Sequence, residues 1–216
     1  MTNKLFFILM LTFFLSNKIS AQDTLKSQGK FKIEVGYIYL NNKLNADKYY
    51  DFKHIYGIKN NESKIGGINV KLSKTTKYDF IDLMVGALFI NGLDKIDNNH
   101  INLNSDNAHD YKINGGGVYW GISPKLKGKI VGITSDFGIG VFSFKEYVSI
   151  INNTEAQTTY DHNLKASYGL GAISSIGLSL NIGKIGINPS ITAIFSGGAQ
   201  SSFTFYGVNF PLTYQF

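Results

Sequence analysis

The chain has no cysteine and no arginine, and only three prolines among its 216 residues. Without cysteine there is no disulfide, no thiolate metal site and no acylated cysteine of the lipoprotein kind. All 21 basic residues are lysines. Arginine does most of the planar recognition of phosphates and base edges, so nucleic-acid binding is disfavoured. Beyond residue 21 no apolar run approaches the roughly 18 residues of a transmembrane helix. Histidine is scarce too: His54, His100, His109 and His162 all fall in polar stretches. His109-Asp110 and Asp161-His162 come nearest to the close carboxylate spacing of a metal site, but they lie on different loops. Gly115-Gly116-Gly117 leads into a strand rather than a helix, so it is not a phosphate loop. No metal or cofactor is expected.

Glycine, by contrast, is abundant at 23 residues, and aromatics reach 14%. With so little proline, that mix suits many strands rather than helices. The length is enough for one domain. Met1–Ala21 reads as a cleaved signal peptide, with Lys4 as its positive end and Leu5–Leu15 as its apolar stretch. Residues 22–29 are then a short leader, and residues 30–216 are the domain. The formal charge of +6 falls to +4 once Lys4 and Lys18 leave with the signal, and on an exported protein it fits contact with anionic envelope lipids or lipopolysaccharide.

Side chains alternate faces along a strand, so a strand between two environments shows a period of two. Eight stretches have it. Phe31, Ile33, Val35, Tyr37 and Tyr39 share a face in the first, and Ile68, Val70 and Leu72 in the second. Ile81 to Phe89 form the third, Val118 to Pro124 the fourth and Val131 to Val141 the fifth. In the sixth, one parity persists from Leu164 to Ile182, roughly 60 Å of strand. The seventh runs from Ile185 to Phe195, and the eighth ends the chain. Polar stretches at about 41–63, 91–116 and 145–163 read as long loops. They alternate with short turns at 73–77, 125–128 and 183–184.

The final stretch has Tyr206, Val208, Phe210, Leu212, Tyr214 and Phe216 on one face. It ends on an aromatic residue with an apolar residue at every second position before it. Together with the alternating connections, this resembles the small eight-stranded outer-membrane β-barrels of the OmpA and OmpX type. The resemblance covers residues 30–216 and rests on pattern rather than on a signature motif. It implies an all-β, transmembrane, up-and-down antiparallel barrel in the outer membrane, with periplasmic termini and extracellular loops. It also implies that Val208, Phe210, Leu212, Tyr214 and Phe216 are the signal read by the barrel-assembly machinery. Pro211 departs from the pattern, because proline removes a ladder donor.

Eight strands leave a lumen that side chains fill, so a general porin is not expected. Glu34, Lys71, Asp82, Asp136 and Lys165 fall on the non-greasy faces. Of these, Glu34, Lys71 and Asp82 lie near the periplasmic end of neighbouring strands. They are expected to meet as a lumen charge cluster, either a polar plug or a gate for protons or ions. Tyr37, Tyr39, Tyr78, Trp120, Tyr168, Phe195, Phe210 and Tyr214 suit interfacial girdles. The expected role is structural or surface interaction by a monomer, with outer-membrane lipid or lipopolysaccharide and an extracellular or envelope protein as partners. Alternatives are a lipid-modifying barrel enzyme, for which Ser105 and His109 are the nearest candidates, a soluble barrel binding an apolar ligand, and an accessory barrel of a secretion apparatus. The Asx-rich stretch from Asp94 to Asn107 reads as a solvated loop, because Asx residues serve turns for their own backbone reasons.

Overall fold

Alternating faces satisfy the backbone only when neighbouring strands share their hydrogen bonds. The computed structural model describes residues 30–43, 62–95, 106–126, 128, 130–152, 158–198 and 202–216. Its strand segments are β1 (Phe31–Lys43), β2 (Glu62–Thr75), β3 (Ile81–Lys95), β4 (Asp106–Leu126) and β5 (Val131–Asn152). They continue with β6 (Thr158–Ile182), β7 (Ile185–Ile187), β8 (Ser190–Gly197) and β9 (Ser202–Gln215). Each neighbouring pair is antiparallel, and β9 pairs back onto β1. Val35 therefore sits opposite Val70 on one side and Leu212 on the other. The sheet closes on itself, which removes free edges along the paired region.

β7 and β8 both pair with β6 and with β9 in one continuous register, so they are halves of a single strand in a ring of eight. The break falls at Asn188–Pro189, and proline chemistry explains it. Pro189 and Pro211 each lack an N–H, yet both carbonyls stay in the ladder. The Asn188 amide donates to the Pro211 carbonyl and the Leu178 amide to the Pro189 carbonyl, each at 3.0 Å. Pro211 is thus held in the closing strand at the cost of one ladder bond. At the seam the Phe216 amide donates to the Phe31 carbonyl at 2.9 Å.

One end of the barrel carries short connections. Residues 76–80 join β2 to β3, and Gly183, at φ 63°, makes the turn between β6 and β7. This turn end also holds Phe31 and Phe216. At the opposite, loop end, the strands run further than alternation suggests. The stretches 91–116 and 145–163, read as loops, are largely ladder: Lys95 pairs with Asp110, and Asn152 pairs with both Asp106 and Thr158. The sequences of these hairpins carry polar residues at both parities. Their period of two disappears while their backbone pairing continues.

The two faces are sharply divided. Outward positions such as Phe89, Tyr168, Leu170 and Ile182 are 64%, 76%, 74% and 84% exposed. All eight aromatics expected in girdles are exposed on this face. Inward positions are buried, and they divide again along the barrel axis, which defines the site.

Candidate functional site in the barrel lumen

The turn-end half of the lumen is polar. Lys71, on β2, reaches three strands round the ring to Asp136 on β5, with its ammonium 2.9 and 2.8 Å from the two carboxylate oxygens. The same ammonium lies 3.1 Å from Glu34 on β1, which Lys32 also approaches at 2.6 Å. Neighbouring side chains add further hydrogen bonds. Ser123 and Ser175 donate to Asp136 at 2.7 and 2.8 Å, and the Asn188 amide donates to Glu34 at 3.2 Å. Two lysines thus face two carboxylates. A buried charge is tolerable only when paired and hydrogen-bonded in this way. Above them the Tyr119 hydroxyl donates to Asn69 at 2.8 Å. Its ring lies over β3 at Gly86, where a Cβ would run into it.

Of the three residues expected to meet, Glu34 and Lys71 are ion-paired. Asp82 is not with them: it pairs with Lys125, whose ammonium also donates to Thr75 at 3.3 Å. The register gives the reason. Lys71 pairs with Gly86, whereas Asp82 pairs with Thr75, four residues along the strand towards the turn end. That offset is about 13 Å, further than the two side chains close when Lys125 is nearer. Asp136 takes the place expected of Asp82. Its inward parity was legible in the sequence, but a bond across three strands was not. The Asp82–Lys125 pair lines a pocket of about 230 Å³ at the turn-end mouth, with Lys30, Lys32, Thr134 and Ser179 around it.

The loop-end half is apolar. Phe142 and Phe144 from β5 face Phe203 and Phe205 from β9 across the lumen. Phe144 meets Phe205 edge-on at 4.7 Å between centroids, and Phe203 stacks on Phe205 at 5.8 Å. Ile38, Leu40, Ile65, Leu88, Ile113 and Ile194 close around the rings, all essentially inaccessible to solvent. The neighbouring strand makes room for Phe142 with Gly117, where a Cβ would strike its ring. Sequence alternation pointed outward to the greasy face and missed this second, inward apolar layer. Phe142 and Phe144 fall just past the alternating stretch that ends at Val141, and Phe203 and Phe205 just before the one that begins at Tyr206.

The arrangement is a double plug of paired charges below packed rings. Chemically the described residues form a packed core in which each charge is engaged by its neighbours. Among the described residues no group of three or more His, Cys, Asp or Glu side chains is placed to hold a metal. His54, His100 and Ser105 lie outside the described residues. His109 and His162 fall on β4 and β6, with β5 between them. Residues 1–29, the expected signal peptide and leader, also lie outside.

No protein-family model matches the chain, and no curated protein does. Solved structures do. Neisserial surface protein A aligns over 88% of this chain and 100% of its own, at 9% identity and a TM-score of 0.52. The fold is that of the eight-stranded outer-membrane β-barrels. Ail of Yersinia pestis, solved with the heparin analogue sucrose octasulfate, covers 87% of this chain and all of its own at 12% identity and TM-score 0.47. The N-terminal barrel of Pseudomonas aeruginosa OprF covers 88% and 100% at 9% identity and TM-score 0.38. Within this transmembrane fold the exposed outward face is the surface that meets hydrocarbon, and the filled lumen is its interior.

Proposed function

We propose that the chain is an integral outer-membrane protein with a closed lumen, acting as a structural envelope component or through its loop-end surface, and not as a general porin. The observation that carries this reading is the double plug. Paired charges fill the turn-end half, and four phenylalanines fill the loop-end half. The outward face argues against a soluble barrel, since contiguous exposed apolar patches of this extent are rare on soluble monomers.

In this reading the turn end and both termini face the periplasm, and the extended hairpins face outward. Residues 1–21 direct export and are removed. Val208, Phe210 and Leu212, with Tyr214 and Phe216, lie on the lipid-facing side of the closing strand, where the assembly machinery would read them. The barrel acts as a monomer, because its sheet has closed on itself and β9 needs no partner chain. The test is electrical and electrophoretic. The refolded protein shifts on a gel when boiled, and in a planar bilayer it gives no stable ohmic conductance. Steady conductance from the wild-type protein would overturn the closed-lumen reading. Recovery from the soluble fraction without a gel shift would overturn the membrane one.

A further inference from the structure

Just beyond the apolar band at the loop end, β4 and β5 bring four side chains into a square on the outward face. Lys112 is paired in register with Tyr147, and Asn114 with Lys145. All four share the parity of Val118, Ile139 and Val141, which face hydrocarbon. The two lysines occupy one diagonal, so their stems start about 7–8 Å apart. Both ammonium groups lie 5.7 Å from the centroid of the same Tyr147 ring. The Asn114 amide donates to the Tyr147 hydroxyl at 3.2 Å, which fixes that ring between them. Glu146, the carboxylate adjacent in sequence to both Lys145 and Tyr147, is buried on the opposite, lumen face.

Elsewhere on the outward face lysines sit singly on aromatic rings: Lys74 over Phe31 and Lys77 over Tyr78, both at the turn end. At Tyr147 two like charges converge instead. Among the described residues neither Lys112 nor Lys145 has a carboxylate partner within ion-pair distance. Convergent, unneutralised ammonium groups call for an anion. What lies beneath them names its kind. Tyr168 and Phe89 occupy the rung below, and Val118, Val141, Ile139 and Leu170 continue the wall into the apolar band. A soluble anion would use only the lysines. A lipid with a phosphate in its headgroup would use the lysines and the wall together.

We propose that the Lys112–Lys145 square is a seat for the phosphate of an acylated outer-leaflet lipid, with its chains lying along Val118, Val141 and Leu170. This rests on the outer-membrane orientation proposed above. The phosphate sits between the two ammoniums, Asn114 and Tyr147 hold the lysine stems apart, and the acyl chains replace bulk lipid against the wall.

Native mass spectrometry of the refolded, detergent-solubilised full-length protein tests it. The probe is a phosphorylated acyl-disaccharide lipid, compared with the same lipid after phosphatase treatment. Each lysine near an anionic lipid surface contributes a modest increment, so Lys112→Gln with Lys145→Gln should weaken retention about tenfold. The phosphatase-treated lipid should be as weak on the wild-type protein. Lys74→Gln with Lys77→Gln at the turn end should change nothing, and Lys112→Arg with Lys145→Arg should retain binding. Undiminished retention by the glutamine pair would overturn the site. Equal retention of the same phosphorylated disaccharide after removal of its acyl chains would overturn the lipid as occupant in favour of a free anion. The heat-shift gel is run on every variant. Its loss in the wild-type protein would sink the membrane reading itself, which keeps that failure separate from failure of the seat. If the glutamine pair does not fold, Lys145→Gln alone, at an exposed position, gives the same sign with a smaller change.

Discussion

The two halves of the lumen fill the same barrel by opposite means. Towards the turns, Lys32, Glu34, Lys71 and Asp136 cancel one another's charge, and each depends on the others being present. Towards the loops, Phe142, Phe144, Phe203 and Phe205 contribute contact by contact. A buried ion pair has little net value over an apolar filling of equal shape, but breaking it leaves a stranded charge. A buried ring has steady value and leaves a cavity when lost. The polar half should therefore fail abruptly with one substitution and recover with a matched set. The apolar half should fail by degrees and never recover by further deletion.

The largest expected effect is Lys71→Ala, which strands Glu34 and Asp136 together and should cost about 3–5 kcal/mol. Urea unfolding in phospholipid vesicles measures it, with fluorescence of the single tryptophan, Trp120, as a lipid-facing reporter. An equal loss from Lys125→Met would break the distinction between the central cluster and the mouth. Phe144→Ala comes next, at about 3 kcal/mol, and adding Phe205→Ala should deepen the loss. Gly86→Val pushes on the Tyr119 ring and should cost about 2 kcal/mol by overpacking. The same unfolding assay should show its effect relieved by Tyr119→Leu, because a Cβ at Gly86 meets the ring carbon Cζ before the hydroxyl. Lys125→Met should cost less than Lys71→Ala, because it strands one carboxylate, Asp82, beside a pocket rather than two in the centre. The smallest change belongs to the matched set Lys32→Gln, Glu34→Gln, Lys71→Met and Asp136→Asn, within about 1 kcal/mol of wild type. A loss as large as that of Lys71→Ala alone would show that the charges stabilise the barrel rather than merely balance.

The strand pattern was legible because lipid and lumen lie on opposite faces of every strand, and period two records that directly. Ile33, Val35, Tyr37 and Tyr39 give the first strand, and Val208 to Phe216 give the last. The extensions of β4, β5 and β6 were not legible as strands. Their sequences carry polar residues at both parities, so only backbone pairing distinguishes them from loops. Glu34 and Lys71 could be placed together, because they are paired directly across adjacent strands. Asp82 was misplaced, because neighbouring strands do not imply a common level: its own register puts it opposite Thr75 and Ser123.

The sequence by itself determined which residues face out and which face in, because that is a matter of parity and needs no knowledge of neighbours. It also determined that the inward charges must find partners, because an unpaired buried charge is too costly. Only the tertiary structure decided who those partners are. Ring closure and register bring β2 opposite β5, so Lys71 finds Asp136 across the lumen. The same closure brings β5 opposite β9, so four phenylalanines distant in the chain become one packed layer. On the outside, the β4–β5 register sets Lys112 and Lys145 about a single tyrosine. Contacts across a barrel depend on how the sheet curls and staggers, and that information belongs to all the strands together rather than to any one of them.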